Sequence, residues 1–250
     1  MTSTDTTGPA DRLRAALEHE SSSERLQSAL AAGTRPDPRY VEVLVRRCEF
    51  EPDFFVREML TWALMRHPST QTVPRLVYEV GADHPQARSQ ALHTLSKIGD
   101  PHGWAAISRE LLRDPDDDVA RSAWRTAAGL VPAGEEVGLA EELGGQLGRG
   151  SVETQRSLGR AIAMLGDVAL PMLHARAAHA EARVRIHAAA SEALLRDPDA
   201  NFDGLLADAQ RADADAAQRA GADAQLRASA DARRADAAAA VPADDETPSG

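Results

Sequence analysis

Five stretches of this 250-residue chain share one outline and return about every 30 residues. They are FFVREMLTWALMRHP (Phe54 to Pro68), ARSQALHTLSKIGDP (Ala87 to Pro101), VARSAWRTAAGLVP (Val119 to Pro132), TQRSLGRAIAMLGD (Thr154 to Asp167) and VRIHAAASEALLRDP (Val184 to Pro198). Each has an arginine near its start: Arg57, Arg88, Arg121, Arg156 and Arg185, at successive intervals of 31, 33, 35 and 29 residues. Each closes on a breaker pair: His67-Pro68, Asp100-Pro101, Val131-Pro132, Gly166-Asp167 or Asp197-Pro198. In the clearest copy Ala87, Ala91, Leu95 and Ile98 lie three or four residues apart, which puts them on one face of a helix. Gly99, Asp100 and Pro101 then stop that helix, because proline cannot continue the hydrogen-bond ladder.

Shorter amphipathic stretches fill the gaps: YVEVLVRRCEF (Tyr40 to Phe50), TVPRLVYEVGA (Thr72 to Ala82), HGWAAISRELLRD (His102 to Asp114), EEVGLAEELGGQLG (Glu135 to Gly148) and ALPMLHARAAHA (Ala169 to Ala180). The unit is therefore helix, short turn, helix, breaker. A pair of such helices cannot bury its apolar face alone, so it must stack on its neighbours. Aromatics make up only 4% of the chain, and its apolar content is mostly alanine and leucine, so an all-α fold is predicted. The expected organisation is a disordered N-terminus at 1–10 and a repeat domain at 11–198, followed by an Ala/Asp/Arg-rich tail at 199–250. Within the repeat domain, 11–35 is a weaker first repeat and 38–198 holds the clearer ones. Between Ala207 and Gly250 only Leu226 and Val241 are large aliphatics. The tail is thus read as solvated helix or disordered, with a flexible or undocked helix from about Ala207 to Ala240 and disorder after Pro242.

An acid precedes most of the arginines: Asp53, Asp83, Asp117, Glu153 and Glu181. Asp53/Arg57, Asp117/Arg121 and Glu181/Arg185 have i,i+4 spacing, which favours pairing along one helix. The order acid, Val/Ala-Arg, small residue, Leu, Gly-Asp-Pro resembles the HEAT repeat, especially its short bacterial form (PBS-lyase HEAT-like). The third copy departs from it with Ala128 in the place of Leu95 and no Gly-Asp. The fourth has its Gly-Asp one residue early, and the last has Glu181 where the family favours aspartate. The resemblance implies a right-handed α-solenoid of about five to six stacked antiparallel helix pairs. It also implies that the second helix of each pair lines the concave face, and that turn acids bridge to arginines along the stack.

Arg57, Arg88, Arg121, Arg156 and Arg185 are accordingly read as a structural ladder. Trp62, His93, Lys97, Arg125 and Arg160 lie one step round from the core face of the second helices and are the candidates for partner binding. Trp104 and Trp124 are assigned to the core, and the lone Cys48 is read as a small buried apolar residue. His174, His179 and His187 do not have metal-ligand spacing, and DPDDD at Asp114 to Asp118 is explained by capping of the helix from Val119. GGQLGRG (Gly144 to Gly150) follows a helix, which is the wrong context for a phosphate loop. No catalytic residue, metal or cofactor is expected.

Formal net charge is −11 and no dense basic run occurs, which argues against nucleic acid as a partner. The first ten residues do not read as a signal sequence, and no run of about 18 apolar residues suggests a membrane span. The expectation is a cytoplasmic, non-enzymatic scaffold or adaptor, monomeric without its partner, that binds a protein along the concave face. The resemblance offers two alternatives. One is a HEAT-like DNA-repair glycosylase or DNA-binding protein, which the net acidity opposes. The other is a bilin lyase-like chaperone.

Overall fold

A computed structural model describes residues 8–239, with side chains as far as 234. Among these residues the fold is all-helical, without strands. The helices are α1 (Pro9–Leu17), α2 (Ser22–Thr34), α3 (Tyr40–Phe50), α4 (Phe54–Met65), α5 (Ser69–Glu79) and α6 (Pro85–Ile98). They continue with α7 (Arg109–Leu112), α8 (Asp117–Leu130), α9 (Glu136–Gly144), α10 (Val152–Met164), α11 (Leu170–Ala177), α12 (Ala182–Arg196) and α13 (Phe202–Ala239). Two 3-10 segments, Pro101–Ala106 and Gly166–Ala169, precede α7 and α11.

The helices form two rows. The even-numbered helices from α2 to α12 pack each on the next, and α1, α3 and α5 line up behind them. The first 3-10 segment packs on α5, and α7, α9 and α11 continue the second row. One buried apolar cluster runs continuously from Leu13 to Ala188, as stacking of incomplete units requires. Ala91 and Leu95 are buried in it, Ala87 is also buried, and Ile98 packs partly against the cluster. Gly99, at φ 69°, closes α6 in the left-handed conformation that glycine adopts without steric cost.

Successive even helices are also keyed by buried polar groups. Gln90 Nε2 donates to Thr61 Oγ1 at 2.7 Å, Thr61 and Thr94 hydroxyls meet at 3.2 Å, and Thr126 Oγ1 donates to the Leu92 carbonyl at 2.9 Å. Each bond crosses to a neighbouring helix, so a slip in register would leave buried hydroxyls unsatisfied.

The sequence reading needs correction at three places. The stretch His102 to Asp114 is not one helix: it breaks at Ile107, and Ser108 caps the short α7 by accepting from Leu111 N–H. Helix α1 already begins at Pro9, with proline in the first turn where no amide is needed, so order starts within the 1–10 segment; residues 1–7 lie outside the described residues. The tail read as solvated or disordered from 199 is docked at its start. Phe202 and Leu206 are buried and form a second cluster with Ala190 and Leu194. Spacing i, i+4, i+7 and i+11 puts Phe202, Leu206, Ala209 and Asp213 on one face of α13, toward α12. Side chains from Ala214 to Arg234 are exposed, and the disorder expected after Pro242 lies outside the described residues.

Candidate functional site

Where the even helices run side by side, α4, α6 and α8 enclose a groove of about 350 Å³. Phe54, Arg57 and Glu58 line it from α4, Gln90 and His93 from α6, and Asp118, Arg121 and Arg125 from α8. Phe54 is exposed at the start of α4, because Asp53 caps the helix there and fixes its first turn. The Asp53 carboxylate accepts from Phe55 N–H at 2.9 Å and Val56 N–H at 3.1 Å. The Arg57 guanidinium sits 5.9 Å from the Phe54 ring centroid and donates through Nη1 to the carbonyls of Glu51 and Pro52.

His93 is half-buried, with Nε2 3.1 Å from Glu58 Oε1 at ion-pair distance but without a hydrogen bond. Burial lowers its pKa below the ordinary histidine value; Glu58 opposes this, and the nearby charges of Arg125 and Lys97 reinforce it. Arg125 forms no hydrogen bond or ion pair among the described residues. Although its side chain reaches solvent, the surrounding groove wall desolvates its guanidinium, and repulsion from Arg121 lowers its pKa further against the attraction of Glu58. In chemical terms the groove holds an uncompensated cation beside an unsatisfied ring nitrogen, with an aromatic face at its mouth.

Of the partner-binding candidates, His93 and Arg125 line this groove, and Lys97 is exposed one turn along α6 from His93. Trp62 is outside the groove lining and packs toward α2. It is 37% exposed, its ring lies against Gly33 of α2, and Arg66 sits 6.0 Å from the ring centroid. Arg160 is exposed on α10, outside the groove. Phe54 and Glu58 were missed because the sequence reading looked only one step round from the core face. The exposure of a phenylalanine at a helix start has no periodic signature.

The ladder arginines bind across repeats and not to the acid four residues earlier. Arg88 pairs with Asp114 at 3.0 Å, Arg121 with Glu153 at 2.7 Å, Arg156 with Asp203 at 2.7 Å and Arg185 with Asp213 at 2.8 Å. Arg57 meets no carboxylate among the described residues and has its two carbonyl partners and the Phe54 ring. Glu153 is thus a turn acid that meets the ladder arginine of the preceding repeat, whereas Asp53 is a cap, Asp117 pairs with Arg149 and Glu181 with Arg183. Asp116 caps α8 by accepting from Asp118 and Val119 N–H.

One rung escaped the sequence reading. Arg25 of α2 donates through Nε and Nη2 to Glu51 at 2.8 and 2.7 Å, and through Nη1 to the carbonyls of His19 and Glu20. Arg57, Arg88 and Arg185 make the same two carbonyl contacts, five and six residues back. The interval of 26 residues in Arg25/Glu51 and Arg88/Asp114 was the available signal.

Trp124 is fully buried and donates from Nε1 to the Leu112 carbonyl at 2.8 Å, while Trp104 is only partly buried. Burial pushes the Cys48 thiol up to about 12, with Glu79 and Glu51 adding to the effect, which keeps it protonated and unreactive. His187 is buried, and Glu192 lies 3.2 Å from His174. No group of three potential metal-ligating side chains occurs among the described residues, and no described helix is long and apolar enough to cross a membrane.

No family model matches the chain, and no curated protein matches it. Solved structures similar to it include two engineered proteins, each 18% identical at a TM-score of 0.42. They cover 76% of this chain and 99% and 97% of their own. Human deoxyhypusine hydroxylase in complex with glycerol is 16% identical at a TM-score of 0.41, covering 82% of this chain and 94% of its own.

Proposed function

We propose that this chain is a HEAT-like, right-handed solenoid of five to six helix pairs that acts as a non-enzymatic, cytoplasmic interaction scaffold. It holds a partner protein along the concave face made by its even-numbered helices. The observation that carries this reading is the groove across α4, α6 and α8, where Arg125 has no hydrogen bond or ion pair and His93 Nε2 no hydrogen bond among the described residues, and Phe54 is exposed. Arginine and aromatic side chains combine contact area with directional polar groups, which suits them to anchor an interface. Three successive repeats supply them, so an extended partner can be read along the stack.

Affinity capture with the full chain, followed by mass spectrometry, tests this. A stoichiometric partner is expected, and it should be lost when Phe54→Ala and Arg125→Glu are combined. A partner retained by the double variant would place the interaction elsewhere on the molecule.

A further inference from the structure

We propose that the groove between α4, α6 and α8 takes an extended acidic segment of the partner, with one carboxylate seated between Arg125 and His93 and an apolar side chain against Phe54. This rests on the reading of the even-helix face as the interaction face.

Charge complementarity is the argument. The chain carries a net charge of −11, yet this groove presents Arg57, Arg121 and Arg125 against only Glu58 and Asp118. Asp118 lies 3.5 Å from Arg121, which also pairs with Glu153 at 2.7 Å from outside the lining. Glu58 lies 3.1 Å from His93 Nε2 without a hydrogen bond, so Arg57 and Arg125 are the cations of the lining that meet no carboxylate among the described residues. Arg57 binds backbone carbonyls and no carboxylate. Ladder arginines elsewhere meet an acid of a neighbouring repeat, whereas Arg125 meets none. An incoming carboxylate would complete that missing pair and offset the repulsion between Arg121 and Arg125.

The groove also bounds the occupant. At about 350 Å³ it has room for a few side chains and not for a duplex. Outside it the surface carries abundant acid, which would repel a long polyanion and leave a short acidic segment as the fitting ligand. Phe54, 57% exposed at the mouth, adds an apolar contact beside the charged one.

Fluorescence anisotropy of a fluorescein-labelled hexaglutamate peptide with the full chain, at about 50 mM salt to limit screening, provides the test. Saturable binding is expected, weakened about tenfold by Arg125→Glu, less by Arg125→Gln, and little by Arg160→Glu. Arg160→Glu makes the same charge change outside the groove. Arg125→Gln serves if the glutamate disturbs the fold. Absence of binding, equal losses from Arg125→Glu and Arg160→Glu, or tighter binding of a labelled duplex oligonucleotide would each overturn the assignment. A captured partner that is lost with Phe54→Ala but retained with Arg125→Glu would also overturn it, while leaving the interaction face in place.

Discussion

Arg185 of α12 grips Asp213 of α13 through two parallel bonds, Nε–H to Oδ1 at 2.8 Å and Nη2–H to Oδ2 at 3.0 Å. The guanidinium holds the Asp213 carboxyl below its ordinary pKa. Together with the buried Phe202 and Leu206, this pair fastens the first three turns of a 38-residue helix, about 57 Å long at 1.5 Å per residue. Beyond it every described side chain is exposed. Hydrogen exchange should therefore change sharply along α13, with protected amides from Leu206 to Asp213 and fast exchange beyond. Asp213→Asn should move the boundary toward Phe202. An unchanged profile in that variant would show that the apolar contacts alone hold the helix.

Glu51 is the most enclosed charge in the chain. Its side chain is fully buried and accepts from Arg25, Arg47 and the Asp53 amide. Burial pushes its carboxyl up, but these donors outweigh burial and hold it below the ordinary range. Removing one member of a buried pair leaves the other charge unpaired, so Glu51→Gln should lower stability by about 3 kcal/mol. Replacing both Arg25 and Glu51 with apolar residues should recover much of that loss, because neither charge then remains buried. Urea denaturation of the single and double variants measures the coupling.

Helices α2 and α4 touch at Gly33. A Cβ there would stand 2.3 Å from the Trp62 ring and 2.8 Å from the Ala63 backbone, and the backbone cannot swing aside. Helix propensity alone would favour alanine by about 1 kcal/mol. Overpacking acts in the opposite direction and should dominate, so Gly33→Ala is expected to destabilise by about 1–3 kcal/mol. Trp62 fluorescence should shift in the same variant as the ring moves. A more stable Gly33→Ala protein would mean that the α2–α4 contact can open without loss.

The parts of this structure that were legible in sequence are those set by local period. Ala87, Ala91 and Leu95 could be assigned to the core because spacing along one helix decides which side chains share a face. Ion-pair partners depend on how repeats register, so Arg156 finds Asp203 47 residues away and the i,i+4 acids are left to cap helices or pair elsewhere. The docked start of α13 is hidden because Pro198 looks like a boundary and the stretch without an apolar stripe begins only at Ala207. Phe202 and Leu206 lie in the few residues between that proline and the alanine-rich run. The groove was half legible: His93 and Arg125 follow from helix phase, whereas their meeting with Glu58 and Phe54 follows from stacking.

His187 makes folding sensitive to acid. Its Nδ1 accepts from Gly148 N–H at 2.9 Å, so the proton is on Nε2, which donates to the Gln155 carbonyl at 3.0 Å. The ring thereby ties α12 to the turn after α9 and to α10. Burial lowers its pKa from 6.5 to about 4, against the opposing bond to Gln155, and protonation of Nδ1 would abolish the bond from Gly148. Above pH 6.5 the ring is neutral whether the chain is folded or unfolded, and the contribution is fully present. As pH falls from 6.5 toward about 4 the unfolded chain takes up a proton that the folded chain refuses, so stability declines by up to roughly 3 kcal/mol, with no further loss below that window. Carboxylates titrate over part of the same range, so the diagnostic quantity is the difference from His187→Gln, which can retain a donor and an acceptor but cannot charge. Urea midpoints of the two proteins should converge as pH falls through this window. Parallel curves would show that His187 protonates in the folded protein without strain.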